Sequence, residues 1–341
     1  MPNNPPKILL SITLVGGILI SISSNSWLGA WLGLEVNLMS IIPLMSSSKN
    51  IYTTEASLKY FIIQALASST LLFLVMMKTM ISQSLPLSKE LFENAIMMPL
   101  FTKMGAAPLH WWFPSVMEGL SWSNCLLMMT VQKAAPMMLT SYLMSINALT
   151  LIIILTSVTV GALGGMNQTS LRKILTYSSI NHTGWMITAM AGGNNLWILY
   201  FLVYSLLTTT MTTITKTFNI SFINQVMTAN SKTTVKFLLF TTLLSLGGLP
   251  PFIGFLPKWA VIQMMISNSL MTFVMTTMVI MSLATLYYYL RMCYSSFLIL
   301  HSEVKWNSWP HREHTVMTYS TMLATTSMVG LVMCTMITNL T

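Results

Sequence analysis

Long apolar runs, separated by short polar stretches, make up most of the sequence. A transmembrane α-helix needs about 20 predominantly apolar residues. Because 54% of the 341 residues are hydrophobic and only 7% are charged, with a mean hydropathy of +0.70, a soluble core could not hide the apolar surface. The sequence therefore predicts an all-α polytopic membrane protein of about eleven transmembrane helices. The runs comprise residues 8–23, 26–45, 58–78, 94–117, 122–144, 147–166, 173–191, 196–218, 236–266, 269–296 and 315–338.

The distribution of basic residues predicts the orientation of these helices. If the spans alternate in direction, eleven of the 16 basic residues fall on the side that holds the N-terminus, and only Lys78 and Lys89 fall on the other. Positive residues concentrate on the inner side of a membrane, so the N-terminus is predicted to lie inside. The basic residues are scattered, without the basic patch and interleaved aromatic residues typical of nucleic-acid binding. We therefore expect no nucleic-acid partner.

The fourth run, 94–117, carries Lys103 close to its centre. An ammonium at the middle of a membrane helix costs about 2.5–3.5 kcal/mol on insertion scales, so such a lysine usually faces protein and marks an ion or proton pathway. Pro108 lacks a backbone N–H and Gly105 weakens the helix before it, which together predict a break beside the charge. The alternative is a packing kink with a lysine that extends to the interface.

The ninth run, 236–266, has the same features in a different order. A break is predicted at Gly247, Gly248, Pro250 and Pro251, and Lys258 follows it. Discontinuous helices at corresponding positions of two halves are typical of inverted-repeat transporters.

The positions of the two interrupted runs define the predicted domain organisation. Each is the fourth member of a group of five, and an odd number of spans per group inverts the second group relative to the first. The sequence thus predicts one five-helix repeat over residues 1–144 and an inverted one over 145–296. Residues 297–341 are predicted to form a loop and a C-terminal transmembrane helix.

Other ionisable residues also fall inside the predicted spans. Glu35 is the one acid near the middle of a span, which makes it the candidate partner of Lys103 in an intramembrane ion pair. Lys133 lies near the centre of the fifth run, where it either belongs to a proton relay or bonds to carbonyls freed by Pro136. His182 lies in a polar segment of the seventh run and could extend a water chain or be a satisfied packing residue. His110, beside the first predicted break, has the same two interpretations.

Several of these segments together resemble a known family. They are GAWLGLEVNLMS, KMGAAPLHWWFPSVMEGLSW, QKAAPMML, GALGGMNQTSLRKILTYSSINHTGWM and FLLFTTLLSLGGLPPFIGFLPKWAVIQ. They resemble subunit 2 of mitochondrial NADH:ubiquinone oxidoreductase, respiratory complex I, in its animal and insect form. The resemblance covers residues 7–300, whereas 301–341 matches only in character.

The resemblance implies a function and a location. It implies a core membrane-arm subunit with antiporter-like repeats that couples the oxidation of NADH by ubiquinone to proton pumping in the mitochondrial inner membrane. Glu35 and Lys103 correspond to the charge pair of an antiporter-like channel, Lys133 to the central relay lysine and Lys258 to the lysine of the second broken helix. The N-terminus would face the matrix and the C-terminus the intermembrane space.

The resemblance also implies partners and cofactors. The partners would be other membrane-arm subunits, including neighbouring antiporter-like ones, and inner-membrane phospholipids such as cardiolipin. FMN, iron–sulfur clusters, NADH and ubiquinone would be bound by other subunits, and no catalytic or metal site is expected in this chain.

Two other functions remain open from the residues alone. A stand-alone cation/proton antiporter would share the repeats and the buried lysines, and a purely structural membrane subunit could use its charges only to fix helix register. A membrane-embedded hydrolase is disfavoured, because the spans offer no nucleophile with an oriented base.

Overall fold

A computed structural model describes residues 5–47, 50–81, 89–223, 225, 233–266 and 269–298, together with positions 321, 325, 328 and 330. The chain forms two compact units, Met1–Ile153 and Ile154–Thr341. Helices account for most of the described residues, and an isolated bridge joins Ser170 to Phe222. The predicted C-terminal span, 315–338, lies outside the described residues apart from those four positions.

Among its described residues, the first unit contains seven helices and the start of an eighth. They are α1 (Pro5–Ser23), α2 (Trp27–Met45), α3 (Ile51–Ile81), α4 (Lys89–Met104), α5 (Trp112–Gly119), α6 (Trp122–Met129), α7 (Val131–Ser141) and α8 (Ala148–Met166), which continues into the second unit. Helix α2 packs against α1 and α3, and α4 packs against α3 and α7. Predicted spans four and five are therefore each composed of two helices.

The second unit contains the rest of α8 and five further helices among its described residues. They are α9 (Leu171–Gly192), α10 (Asn194–Thr217), α11 (Thr233–Gly247), α12 (Phe255–Met265) and α13 (Ser269–Leu298). Helix α10 packs against α9, α11 and α12, and α13 packs against α11 and α12. Predicted span nine is composed of α11 and α12.

Six of the described helices, α1, α2, α3, α8, α10 and α13, are long and apolar enough to cross a membrane. Helix α9 is long enough but more polar, and nearly all of its central residues are buried. Because hydroxyl and amide groups are expensive in lipid, a polar helix is stable at this depth only when protein surrounds it. The burial of α9 explains how the second unit accommodates its polar segment.

Close helix packing in both units depends on small residues. A Cβ added to Gly33 of α2 would lie 2.8 Å from the carbonyl oxygen of Gly17 in α1. A Cβ added to Gly161 of α8 would lie 2.6 Å from the amide nitrogen of Asn181 in α9. Helices in membranes associate through such close contacts, since lipid provides no hydrophobic drive between them.

Candidate functional site

The first interrupted helix places Lys103 directly before a non-helical segment. Helix α4 ends at Met104, and α5 begins at Trp112. Gly105 has a φ of 71°, in the left-handed region that a glycine adopts without steric cost. The Nδ1 atom of His110 lies 3.2 Å from the carbonyl oxygen of Pro108, within the same segment. The break is thus formed by residues next to the charge, and His110 bonds within it.

Lys103 lines a small polar cavity between α2, α3, α4 and α7. The cavity has a volume of about 10 Å³, on the scale of one water molecule. Its polar lining consists of the side chains of Asn37, Tyr60, Gln64, Lys103 and Gln132. These groups come from four helices and create a hydrogen-bonding environment around a lysine that is only 6% exposed.

Two carboxamides close one side of this cavity. Asn37 Nδ2 donates to Gln132 Oε1 at 3.1 Å, and Gln132 Nε2 donates to Asn37 Oδ1 at 2.9 Å. The Tyr60 hydroxyl also donates to Gln132 Oε1, at 3.2 Å. On α4, the Lys103 carbonyl oxygen accepts from Gln64 Nε2 at 3.5 Å. The cavity is therefore held together by bonds between helices that are far apart in sequence.

The predicted Glu35–Lys103 ion pair is not a direct contact in this structure. Among the described residues, the ion pairs within 4.0 Å are Lys59–Glu55 and Lys78–Glu93. The Glu35 carboxylate is nevertheless close enough to the Lys103 ammonium for a Coulombic interaction. Glu35 is half-buried on α2, so part of its side chain lies at the surface of this chain.

Lys133 is more deeply buried than Lys103 and Lys258, at 2% exposure. It lies in the first turn of α7, directly after a break at Thr130 that separates α6 from α7. Its ammonium lies 5.0 Å from the centroid of the Phe113 ring, within the range of a cation–π interaction. Pro136 lies inside α7 and lines the cavity of Lys103.

The second interrupted helix holds Lys258 against its own backbone. Helix α11 ends at Gly247, α12 begins at Phe255, and the connecting segment contains Pro250 and Pro251. Lys258 Nζ donates to the Gly247 carbonyl oxygen at 2.9 Å. Gly248 has a φ of 80°, and a Cβ there would lie 3.0 Å from Lys258 Nζ. The lysine therefore occupies the space that a glycine leaves open.

His182 and two tyrosines form a separate cluster between α9 and α10. His182 Nδ1 lies 2.8 Å from the Tyr200 hydroxyl, and its ring centroid lies 5.2 Å from that of Tyr204. On the same helix, the Trp185 ring centroid lies 5.8 Å from Lys258 Nζ. His182 is thus bonded to a residue that can donate or accept a proton.

The described side chains of this region include ionisable lysine and histidine groups. Within the described ranges, no group of three or more His, Cys, Asp or Glu residues is arranged to hold a metal ion. Each unit contains at least one buried lysine beside a helix break.

Comparison with known proteins identifies the family. Residues 24–285 match the model described as "NADH:quinone oxidoreductase/Mrp antiporter, TM". NADH-ubiquinone oxidoreductase chain 2 of Locusta migratoria is 47% identical over 307 residues, which are 90% of each chain. The chain belongs to the NADH-ubiquinone oxidoreductase chain 2 family. The protein of the same name from Anopheles gambiae is also 47% identical, over 96% of each chain.

Solved structures of other proteins support an antiporter-like fold for this member of the chain 2 family. The protein is similar to a chain of respiratory complex I from Thermus thermophilus with bound aureothin. The TM-score is 0.78 at 23% identity, over 96% of this chain and 78% of that one. A chain of the Mrp complex from Dietzia sp. DQ12-45-1b gives a TM-score of 0.76 at 17% identity, over 84% and 60% of the two chains. The prediction of complex I subunit 2 is confirmed.

Sequence reasoning missed two features of the candidate site in this protein. The first is the break at Thr130, whose only local signal is a threonine; its hydroxyl donates to the Leu126 carbonyl oxygen at 2.8 Å, a bond that often bends helices. The second is the Asn37–Gln132 amide pair, whose members are 95 residues apart. Nothing in the local pattern of either segment indicates that they meet.

Proposed function

We infer that this chain is a proton-translocating membrane subunit of NADH:ubiquinone oxidoreductase in the mitochondrial inner membrane. The observation that carries this function is the burial of Lys103, Lys133 and Lys258, each at most 6% exposed, inside an otherwise apolar protein. A buried ammonium loses hydration, which favours exchange between the charged and the neutral form. Such a group can accept a proton from one neighbour and pass it to the next.

The proposed proton route uses Glu35, Lys103, Lys133 and Lys258, with His110 and His182 as possible links through water. Moving one proton against roughly 150–200 mV requires about 3.5–4.6 kcal/mol. Two opposite charges at 4 Å attract by about 4 kcal/mol at an effective dielectric constant of about 20. Forming and opening a direct Glu35–Lys103 pair would therefore change the proton affinity of Lys103 enough to drive such a step.

The arrangement of the helices is part of the same proposal. Ten helices would form inverted five-helix repeats over 1–144 and 145–296, with breaks at Gly105 and Pro108 and at Gly247, Gly248, Pro250 and Pro251. The eleventh helix would lie in residues 297–341. The N-terminus would face the matrix. The asymmetry of the basic residues supports this orientation, and the positive φ angles of Gly105 and Gly248 support the breaks.

The partners follow from the family. Other membrane-arm subunits, including neighbouring antiporter-like ones, would contact this chain, together with phospholipids such as cardiolipin. FMN, iron–sulfur clusters, NADH and ubiquinone would be bound by other subunits. The chain itself would contribute proton movement and no redox centre.

Replacing Lys133 by Met tests the proposal. In membranes that contain the assembled complex, we expect Lys133→Met to abolish most proton pumping, because methionine fills the space but carries no proton. Pumping would be measured as acidification per NADH oxidised. The matched control is Lys59→Met, since Lys59 is about half exposed and pairs with Glu55 at 2.7 Å. Unchanged coupled pumping in Lys133→Met would remove this residue from the route.

The same measurements separate the two other functions. A structural subunit would lose assembly in proportion to activity, while turnover per assembled complex stayed constant. A stand-alone antiporter would exchange cations for protons in liposomes without other subunits.

A further inference from the structure

We propose that the Asn37–Gln132 amide pair is a barrier that separates the cavity of Lys103 from Lys133. The inference rests on the proposed proton route and concerns its control. Both carboxamides are buried, at 3% and 8% exposure, and they exchange two hydrogen bonds of 3.1 and 2.9 Å. The pair links α2 to α7 through side chains alone.

The position of Gln132 on α7 gives the amide pair this role. Gln132 and Pro136 are four residues apart and face the cavity together. Successive residues of an α-helix are rotated by about 100°, so Lys133 points to another side of α7. Its ammonium lies over the Phe113 ring and not in the cavity lining. Gln132 therefore covers the α7 surface beside the cavity, and Lys133 follows it on the next face of the helix.

The chemistry of carboxamides makes the closed pair a barrier. Unlike His, Lys or a carboxylate, an amide side chain does not titrate in the physiological range, so it does not carry the proton itself. In the closed pair, each carboxamide directs one N–H and its oxygen toward the other, and Gln132 Oε1 also accepts from Tyr60. The two bonded N–H groups, and Gln132 Oε1 with its two accepted bonds, are therefore not available to order water between the two lysines.

Opening the pair would turn the same atoms into water ligands. A separated Asn37 and Gln132 present N–H donors and carbonyl acceptors to the cavity, which is already the size of one water molecule. Water can then bridge from the cavity toward Lys133, and the pair closes again after transfer. The amide pair thus acts as a positioning element. It controls where water molecules bind and does not itself exchange the proton.

Asn37→Ala tests the barrier in vesicles that contain the assembled complex. The substitution removes both inter-amide bonds and leaves space for water beside Gln132. Two buried hydrogen bonds favour the closed pair roughly tenfold over the open one. Because the closed pair cannot form without Asn37, the open arrangement should rise from about a tenth of the molecules to all of them. We expect fewer protons pumped per NADH oxidised and a faster decay of the proton gradient once NADH is exhausted. The proposal would be overturned if Asn37→Ala pumped as many protons per NADH as wild type and its proton gradient decayed at the wild-type rate.

Two further variants separate the amide pair from loosened packing. Ile41→Ala removes a fully buried side chain one turn further along α2 without touching either amide. Equal leakage in Ile41→Ala and Asn37→Ala would overturn the proposal, because space alone would then explain the leak. If Asn37→Ala does not assemble, Asn37→Gln is compared with the double variant Asn37→Gln, Gln132→Asn. Recovery of coupling in the double variant supports the pair, and equal coupling in both overturns it.

Failure of this inference is distinguishable from failure of the proposed function. If Lys133→Met abolishes pumping but Asn37→Ala remains fully coupled, the proton route stands without the barrier. If Lys133→Met pumps normally, the route itself is wrong whatever Asn37→Ala does.

Discussion

The two interrupted helices hold their lysines in different ways. Lys103 lies in the last turn of α4, before its break, whereas Lys258 is in the first turn of α12, after its break. Helical side chains lean toward the N-terminus of their helix. Lys103 therefore leans away from the break and lines a cavity of side chains, and Lys258 leans back across the break to the Gly247 carbonyl oxygen.

This difference shows two ways to stabilise a buried ammonium. The C-terminus of a helix carries roughly half a negative charge, so the end of α11 serves Lys258 in place of an acid. Lys103 instead lines a cavity whose amides and hydroxyl bond to one another, with Glu35 near enough for a Coulombic interaction. Backbone geometry should therefore control the Lys258 site, and side-chain packing should control the Lys103 site.

The largest expected effect comes from Gly248→Val. A residue other than glycine in the left-handed region costs about 1–2 kcal/mol, and the new Cβ would lie 3.0 Å from Lys258 Cδ and Nζ. We expect a loss of at least about 2 kcal/mol in stability, because strain and contact add. The measurement is the amount of chain retained in the assembled complex after graded heating.

Gly247→Ala is the matched control for this prediction. A Cβ there meets its nearest neighbour, Tyr289 Cδ2, at 3.5 Å, which is ordinary van der Waals contact. We expect Gly247→Ala to retain about as much chain in the assembled complex after heating as wild type. Similar losses of stability in Gly248→Val and Gly247→Ala would mean that the end of α11 tolerates no side chain. The contact with Lys258 would then not explain the effect of Gly248→Val.

The second largest expected effect is the difference in stability between Lys258→Met and Lys103→Met. Removing Lys258 leaves the Gly247 carbonyl without its donor, at a cost of about 1–3 kcal/mol that the relief of a buried charge offsets in part. In the described part of the chain, the Lys103 ammonium donates no hydrogen bond, so its removal relieves burial without such a cost. Lys103→Met should therefore retain more assembled complex after heating than Lys258→Met. The reverse order would contradict the contrast between the two sites.

The sequence predicted both interruptions, because their signals are local. Apolar length predicts the helices, and glycine and proline next to a central lysine predict interruptions, since both act through the backbone of their own segment. The order of lysine and break in each run, read with the lean of helical side chains, indicates which lysine faces its own break. No comparison with another part of the chain is needed.

The contents of the Lys103 cavity could not be predicted in this way. Asn37, Tyr60 and Gln132 come from three helices, and each looks like an isolated polar residue in an apolar run. Their partners depend on which faces of the helices meet, which is decided by close contacts such as Gly17 with Gly33. The prediction of a direct Glu35–Lys103 pair considered only charge and depth, and so it overlooked the amides that fill this region.

The smallest expected effect comes from Tyr60→Phe, which tests how far the Lys103 site depends on side chains. The change removes one hydroxyl that donates to Gln132 Oε1 at 3.2 Å, while the ring can still pack at 5.7 Å from Trp112. Because Gln132 Oε1 also accepts from Asn37, the loss should be about 0.5–1.5 kcal/mol. Heat retention of the complex measures it, with Tyr52→Phe on the same helix as control, since Tyr52 is 72% exposed. A loss of stability larger than that of Gly248→Val would contradict the comparison. One hydroxyl in the Lys103 cavity would then contribute more to stability than the backbone conformation at the second break.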